Sequence, residues 1–474
     1  MSSTPPPRLR DPQPSWMRTG DTMALLLIAV VFVMGFFSYG LVRDGSARAL
    51  AWGACALLCC WSLIGWQARR FEGVEFRASR WWLAILAAAC VAALAQLVPF
   101  PRSVTALLSP LKASSIDAIS TTANAYPIAI APEKAMRSVH QLAAAAMFFS
   151  GVLLLASRRR ASQWLVIIIA SAALMEGLIG LVMFVAFGTW RGFGAIYNPN
   201  HHATAVAMGL PLYFAALWQW RGRSETLSTP LLGGKNPLLP LYAIGGIAAI
   251  GWLASMSRAS IGIGAASATL WLLYEAYTAR NFRENLTPAK LATGGALLIV
   301  AIIVAGIFFP DFSQRFSRAD TLSGNSRLLL WKASLHGLFE TRGFGLGLGG
   351  AEYAINQHAG YPLVTVPIWS HSDWVEWVSE LGIPAFLGLC GLGVVAIRKT
   401  FAANQEQRRL HGCRAGLIQR AALCGVAIGL VHAGLDFHLR VPLIGFEMLS
   451  LVALFLQSGT LLQSRNRGTG ERAR

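Results

Sequence analysis

Charged side chains are scarce in this sequence. They make up 13% of its 474 residues, whereas 55% of the residues are hydrophobic. Apolar runs recur from Met23 to the C-terminal region, and they reach the length of about 20 residues that a helix needs to cross a bilayer. This composition excludes a soluble enzyme, and the absence of short alternating segments argues against a β-barrel. The sequence therefore predicts an all-α, polytopic membrane protein with about 12 transmembrane helices.

The predicted spans are spaced along nearly the whole chain. They lie near residues 22–42, 48–67, 81–100, 139–157, 162–187, 202–220, 237–255, 259–278, 289–309, 372–397, 416–436 and 441–463.

Acidic residues are also few, at 22 against 40 Lys and Arg, which gives a net charge of +18. In a soluble protein this excess would indicate nucleic-acid binding, but in a membrane protein the positive-inside rule explains it better. With both termini in the cytoplasm, most basic residues fall in inward segments, whereas the inverted topology breaks the rule at nearly every loop. We therefore expect a multi-pass protein with cytoplasmic termini and no nucleic-acid partner.

Cysteine patterns of structural or metal-binding type are lacking. The chain has seven cysteines, and no spacing among them resembles a zinc site. None falls in an outward loop of this topology, so no disulfide outside the cytoplasm is implied. The sequence predicts neither a metal site nor a cofactor.

Ionisable side chains collect where one predicted helix enters the membrane, in the run from Trp369 to Pro384. Asp373, Glu376 and Glu380 share one helical face, and ionisable groups at membrane depth usually face a cavity or a site. Ser370 and Asp373 fit a capping box, which predicts His371 as the first residue of the helix. His371 is then either a neutral base or a helix-start histidine that bonds a loop carbonyl.

Other polar residues collect on the same outward side. Of the nine histidines, all but His411 lie on or near it. Outward arginines accompany them, and these are either ligands of a large anion or interfacial side chains that reach for water. The arginines in question are Arg191, Arg258, Arg327, Arg342 and Arg440. Because so many of these groups collect on one side, we favour a functional cleft.

The polar residues beside and within the spans each allow two interpretations. The runs 198–202 and 432–440 are either part of the cleft or ordinary capping and loop structure. Glu176 and Glu447, inside spans, are either partners of buried polar groups or members of an ion path.

The longest outward segment, residues 310–370, is predicted to be a functional loop. Residues 327–335 within it read as a short amphipathic helix along the membrane surface. The glycine-rich run 343–350 lacks the Lys-Ser/Thr ending of a nucleotide loop, so it predicts a tight structural turn.

Five blocks in order resemble the O-antigen ligase and polymerase superfamily of membrane glycosyltransferases, which have a GT-C-type fold. The blocks are Tyr197 to Pro211 with its Asn-Pro-Asn-His-His start, Ser257-Arg-Ala-Ser-Ile-Gly262, Gly324 to Trp331 followed by Gly343 to Gly350, His371-Ser372 followed by nine residues and Gly382, and His432 to Pro442. The resemblance covers roughly residues 160 to 460, and all five blocks lie on one side of the membrane.

The resemblance implies a metal-independent transfer of a glycan from an undecaprenyl diphosphate carrier to an acceptor hydroxyl. His371 would be the base, and Arg191, Arg258 and Arg327 would bind the lipid diphosphate. Supporting residues would be Asn200, His201, Asp373, Glu376, His432 and Asp436. The acceptor would be lipid A-core or a growing polysaccharide at the periplasmic face of the bacterial inner membrane, with membrane lipids as further partners.

Composition and hydropathy divide the rest of the chain. They predict a Pro-rich cytoplasmic tail at 1–21, N-terminal transmembrane helices at 22–160 and a basic cytoplasmic tail at 464–474. The resemblance implies a ligase-like membrane domain at 161–463 with the periplasmic loop 310–371. Ala385 departs from the ligase signature. The polymerase signature Arg-x10-Gly is absent from Arg191, Arg258, Arg315, Arg318, Arg327 and Arg342. Ligase, polymerase and protein glycosyltransferase therefore stay open. The alternative from another class is a polysaccharide or ion-coupled transporter with a relay of Glu176, Glu376, Glu380 and Glu447.

Overall fold

The computed structural model describes residues 15–41, 45–68, 74–119, 124–189, 191–224, 238–278, 321–359, 369–411 and 416–456. This part of the chain is nearly all helical. Its helices are α1 Ser15–Phe37, α2 Gly45–Ala68, α3 Val74–Ala95, α4 Arg102–Leu108, α5 Pro110–Ile119, α6 Pro132–Ala156, α7 Arg159–Val185, α8 Pro199–Ser224, α9 Leu239–Ala254, α10 Arg258–Thr278, α11 Thr321–Glu340, α12 Ala351–His358, α13 Asp373–Leu381, α14 Ile383–His411, α15 Leu417–His432 and α16 Pro442–Leu456.

Six of these helices are long and apolar enough to cross a membrane. They are α1, α2, α3, α6, α7 and α14, and α9, α15 and α16 are shorter apolar helices. The protein is therefore an integral membrane protein. The predicted span 289–309 and the tail 464–474 lie outside the described residues, and so does much of the predicted tail 1–21, although α1 already begins at Ser15.

The main core lies among α1, α2, α6, α7, α8, α15 and α16. Close helix contacts there depend on small residues, as at Gly151, where an added Cβ would lie 2.8 Å from the Leu58 Cβ. Gly425 of α15 likewise faces the carbonyl of Met208 in α8. Because packing replaces the hydrophobic effect between helices in lipid, such small residues let backbones approach and stabilise the bundle.

The prediction of one continuous span over 372–397 is wrong. The helix is interrupted at Gly382, whose φ is +83°, so that α13 and α14 are separate helices. The predicted turn at 343–350 is confirmed and explains the break, because Ile383 N–H donates to the Gly343 carbonyl at 2.8 Å and Leu346 N–H to the Ser379 carbonyl at 2.9 Å. The glycine turn thus holds the end of α13.

The described residues are nearly all helical, as predicted, with one addition: β1 Pro99–Pro101 and β2 Ala125–Pro127 form a small antiparallel sheet beside α4. One further expectation needs correction. The helix predicted at 327–335 is part of the longer α11, which packs against α12 and α13. Its apolar side therefore has protein neighbours, including the buried residues Ile355 and Ala359 of α12 and its C-terminal end.

Candidate functional site

His371 lies outside helix α13, contrary to the prediction that it opens the helix. The N-cap is Ser372, whose Oγ accepts a hydrogen bond from Val375 N–H at 3.3 Å. The Ser370 hydroxyl instead donates to the Glu376 carboxylate at 3.0 Å, so it is not available as a cap. His371 precedes the cap with a φ of +58°, and its side chain is 38% exposed.

The exposed ring of His371 is held by a buried carboxylate. Its Nδ1–H donates to Asp436 Oδ1 at 3.4 Å, and the side chain of Asp436 is 1% exposed. Within the described part of the chain, His371 Nε2 has no hydrogen-bond partner. His201 lies on the other side, with Nε2 at 3.7 Å from the same Asp436 oxygen. The ring of Phe437 packs edge-on against both imidazoles.

The electrostatics of this group centre on Asp436, which lies in the loop after α15. Burial alone would raise the pKa of its carboxyl group, but the facing rings of His201 and His371 hold that pKa well below its ordinary value. Asp436 is therefore ionised. An ionised carboxylate behind Nδ1 orients the ring and stabilises a positive charge on it.

Asp373 fastens this loop to helix α13. Its backbone N–H lies 2.9 Å from the Ala433 carbonyl and 3.1 Å from the Asp436 carbonyl, and its Oδ2 accepts from Leu439 N–H at 3.0 Å. The side chain is fully buried. Asp373 thus positions the loop that carries Asp436, and its side chain does not face an open cavity.

Arg440 forms ion pairs with both Glu376 and Glu380. Arg440 Nε lies 2.7 Å from Glu376, and its Nη2 pairs with Glu380. The guanidinium also lies over the ring of Trp369, 5.2 Å from its centroid. Burial by itself would lower the pKa of Arg440, but the two carboxylates raise it above the ordinary value. Arg440 is therefore a structural partner of α13. The sequence had placed it among the outward arginines that could bind an anion.

His432 is joined to the same cluster. Its Nδ1 lies 2.5 Å from the Thr204 hydroxyl of α8, and its ring stacks on His438 at 5.0 Å. Arg327 of α11 is near enough to act on His432 electrostatically. Burial lowers the pKa of His438 to about 3, so that ring is neutral at physiological pH.

Arg191 and Asn200 connect the histidines to two further helices. Buried Arg191 donates from Nε to the Ser255 carbonyl at 2.6 Å and from Nη2 to Asn200 Oδ1 at 3.0 Å. Asn200 stands immediately before His201 in the first turn of α8, and Arg258 begins α10 three residues after Ser255. Arg191 thus links the first turn of α8 to the short segment between α9 and α10.

The interpretation of Glu176 as the partner of a buried polar group is confirmed. It accepts from His202 Nδ1 at 3.0 Å and from Ala195 N–H at 3.1 Å. The sequence did not indicate His202 or Thr204 as site residues, and it indicated Glu380 only on the polar face of the helix and as a member of the transporter relay. Their spacing in the sequence does not predict their partners, because those partners lie on helices that are far away in the sequence.

Residues 243–390 match a family model described as O-antigen ligase. No curated protein matches the chain. The matched region contains Arg258, Arg327 and His371, whereas His201 and Asp436 are brought to His371 from outside it.

The family match supports a role in surface polysaccharide biosynthesis, a glycosyltransferase-type activity and lipid-linked polysaccharide substrates in general. The same residues carry three of the sequence blocks on which the resemblance depends. Through residues 243–390, this integral membrane protein is thus similar to the O-antigen ligase family, and the match supports the O-antigen ligase and polymerase superfamily.

Proposed function

We propose that the protein transfers a glycan from an undecaprenyl diphosphate carrier to an acceptor hydroxyl, without a metal ion, at the periplasmic face of the bacterial inner membrane. The observation that carries this proposal is the contact of half-exposed His371 with buried, ionised Asp436. Both termini would be cytoplasmic, and the domain boundaries expected from the sequence are retained.

His371 would act as the general base. A sugar hydroxyl is a weak nucleophile, so a positioned base speeds its attack by about 10²–10⁴-fold. The acceptor proton would move to His371 Nε2, the acceptor oxygen would bond to the anomeric carbon, and the bond from that carbon to the diphosphate oxygen would break. Asp436 would stabilise the imidazolium that forms, because its carboxylate faces Nδ1 at 3.4 Å.

The leaving diphosphate carries negative charge, which fixed guanidinium groups stabilise strongly in a dry site. We assign this role to Arg191, Arg258 and Arg327. Arg191 is buried and bonded to Asn200, directly before His201, and Arg327 acts on His432. These contacts of Arg191 and Arg327 support the assignment, and the assignment of Arg258 depends on the family resemblance. Asp373, His432 and Glu376 would be positioning residues.

The acceptor would be lipid A-core for a ligase or a growing polysaccharide for a polymerase. The alternative, a transporter with a carboxylate relay, is not favoured by the contacts. Three of its four proposed members are engaged in specific pairs, Glu176 with His202 and both Glu376 and Glu380 with Arg440.

The test is a profile of carrier-linked glycan in cells that lack the gene and are rescued with wild type, His371→Ala or His140→Ala. His140 is an exposed histidine of α6 with its ring against Trp52, so it serves as the matched control. We expect wild type and His140→Ala to rescue, and His371→Ala to fail at normal protein level.

The stranded product separates the subclasses. Long glycan on the carrier with bare lipid A-core indicates a ligase, and single repeat units on the carrier indicate a polymerase. If His371→Ala rescued as well as wild type, the assignment of His371 as the base would be overturned, and the transporter would become the favoured function.

A further inference from the structure

A second group of ligand-type side chains lies on α11 and α12. His336 and Glu340 stand one turn apart on α11, and His358 is the last residue of α12. One ligand atom from each of the three residues lies within 4.8 Å of the others. None of these residues has a role in the proposed transfer.

The distances fit a single metal ion. His336 Nδ1 lies 3.7 Å from Glu340 Oε1, and His358 Nε2 lies 2.9 Å from Glu340 Oε2. Two ligands of a tetrahedral Zn²⁺ with bonds of about 2.1 Å are about 3.4 Å apart, which is between these values. Both His–Glu distances therefore lie within about 0.5 Å of the separation expected for two zinc ligands.

The helix pair that carries the three residues is already packed without a metal. Leu330 and Ala333 of α11 form a buried cluster with Ile355 and Ala359, and a Cβ at Gly337 would lie 2.5 Å from that of Ala354. The ligands are therefore presented by a close helix contact, which lowers the conformational cost of binding.

The exposure of the three side chains is uneven. His358 is 17% exposed and Glu340 is 30% exposed, whereas His336 is 61% exposed. An ion could therefore enter from the side of His336 and keep water as a further ligand. Lys332, one turn earlier on α11, is exposed, so solvent screens its charge from the site.

We propose that His336, Glu340 and His358 bind a divalent transition-metal ion, with Zn²⁺ favoured, and that this ion fastens α11 to the end of α12. Two imidazoles and one carboxylate form a ligand set that suits zinc, copper or nickel and does not suit magnesium or calcium. The ion would be structural. It would stabilise the helix that carries Arg327, and it would take no part in the chemistry at His371.

Zinc titration by calorimetry tests this proposal on the full-length, tag-free protein in detergent after treatment with a chelator. We expect one Zn²⁺ per chain in wild type and in the control His140→Ala. His336→Ala and His358→Ala should each bind at least about 10-fold more weakly, because each removes one of three ligands. Zinc should also raise the Tm of wild type and His140→Ala but not that of His336→Ala.

His336→Ala changes an exposed side chain, so it should fold, which size-exclusion chromatography without zinc checks. Equal zinc affinity in wild type and His336→Ala would overturn the proposal, and so would the absence of stoichiometric binding in wild type.

Discussion

At the residue scale, His371 combines backbone strain with an exposed ring. A φ of +58° is costly for a residue with a Cβ, by roughly 1–2 kcal/mol. The conformation persists because Ser372 caps the helix on one side and Ser370 is bound to Glu376 on the other. Such strain is typical of functional sites, where the surrounding structure maintains it. Here it holds the imidazole beside Asp436.

Asp436→Asn should lower kcat by at least about 100-fold and change the KM for the lipid-linked donor little. The amide keeps the shape of the side chain but removes the negative charge that stabilises a protonated His371. The measurement is the rate of glycan transfer in detergent or proteoliposomes, as separate kcat and KM values.

The matched control for this prediction is Asp117→Asn, which changes an exposed carboxylate paired with Arg102. A kcat for Asp436→Asn close to that of Asp117→Asn would contradict the role of the carboxylate.

His438 makes stability depend on pH. Because burial lowers its pKa to about 3, the native state binds fewer protons than the unfolded chain between that value and about 6.5. Its contribution is complete above pH 6.5 and is lost as the pH falls toward 3, by at most about 1.4 kcal/mol per pH unit. His438→Gln should therefore show a flatter dependence of Tm on pH between 6.5 and 4.5 than wild type.

Thermal unfolding in detergent across that range measures both slopes. Titrating groups remote from His438 are common to the two proteins and cancel in the comparison. Parallel slopes for wild type and His438→Gln would show that the buried ring is not responsible.

At the element scale, the break between α13 and α14 depends on Gly382. Its φ is +83°, and an added Cβ would lie 2.5 Å from the carbonyl carbon and oxygen of Phe344. Gly382→Ala should therefore lower the free energy of unfolding by at least about 2 kcal/mol. It should also reduce transfer, because the glycine turn and the end of α13 are held together at this point.

Gly391→Ala is the matched control, since an added Cβ there meets nothing within 4 Å in α14. This substitution should leave stability unchanged or raise it by up to about 1 kcal/mol, as in other helix interiors. Thermal unfolding of the two variants compares them directly, and equal stability would mean that the turn tolerates a side chain at Gly382.

At the scale of the whole molecule, Arg440 joins parts of the chain that are far apart in sequence. It stands 60 residues from Glu380, whose Oε1 accepts a hydrogen bond from Ala351 N–H at the start of α12. Arg440→Gln should destabilise the protein by about 3–5 kcal/mol, because it leaves two buried carboxylates without their partner.

Arg102→Gln removes an exposed ion pair with Asp117 and should cost at most about 1 kcal/mol. Thermal unfolding in the same detergent compares the two arginine variants. A similarly small loss of stability in both variants would show that Arg440 does not hold these parts of the chain together.

The candidate site was partly predictable for a physical reason. Polar groups beside apolar helices are costly unless they have a role, so the position of His371 indicated a candidate residue. Asn200 and Asp436 were identified as candidates from the family resemblance. The prediction that they lie on one side of the membrane rests on the positive-inside rule. The ion pairs of Arg440 with Glu376 and Glu380 could not be predicted, because the sequence placed five arginines on the outward side and did not distinguish which of them would contact the two carboxylates. The helix break was missed because hydropathy averaged over the length of a span does not resolve a single turn, although Gly382 followed by Pro384 is an ordinary signal of a helix end.

The sequence by itself determined that the chain enters a membrane and where most of its helices lie, because hydrogen bonding within a helix and the burial of apolar runs are local properties. Tertiary structure alone decided which polar groups meet. His371 finds Asp436 across 65 residues, and Thr204 finds His432 across 228. Such pairs depend on how the helices pack, and packing is set by shape at every contact along the bundle and not by any one segment.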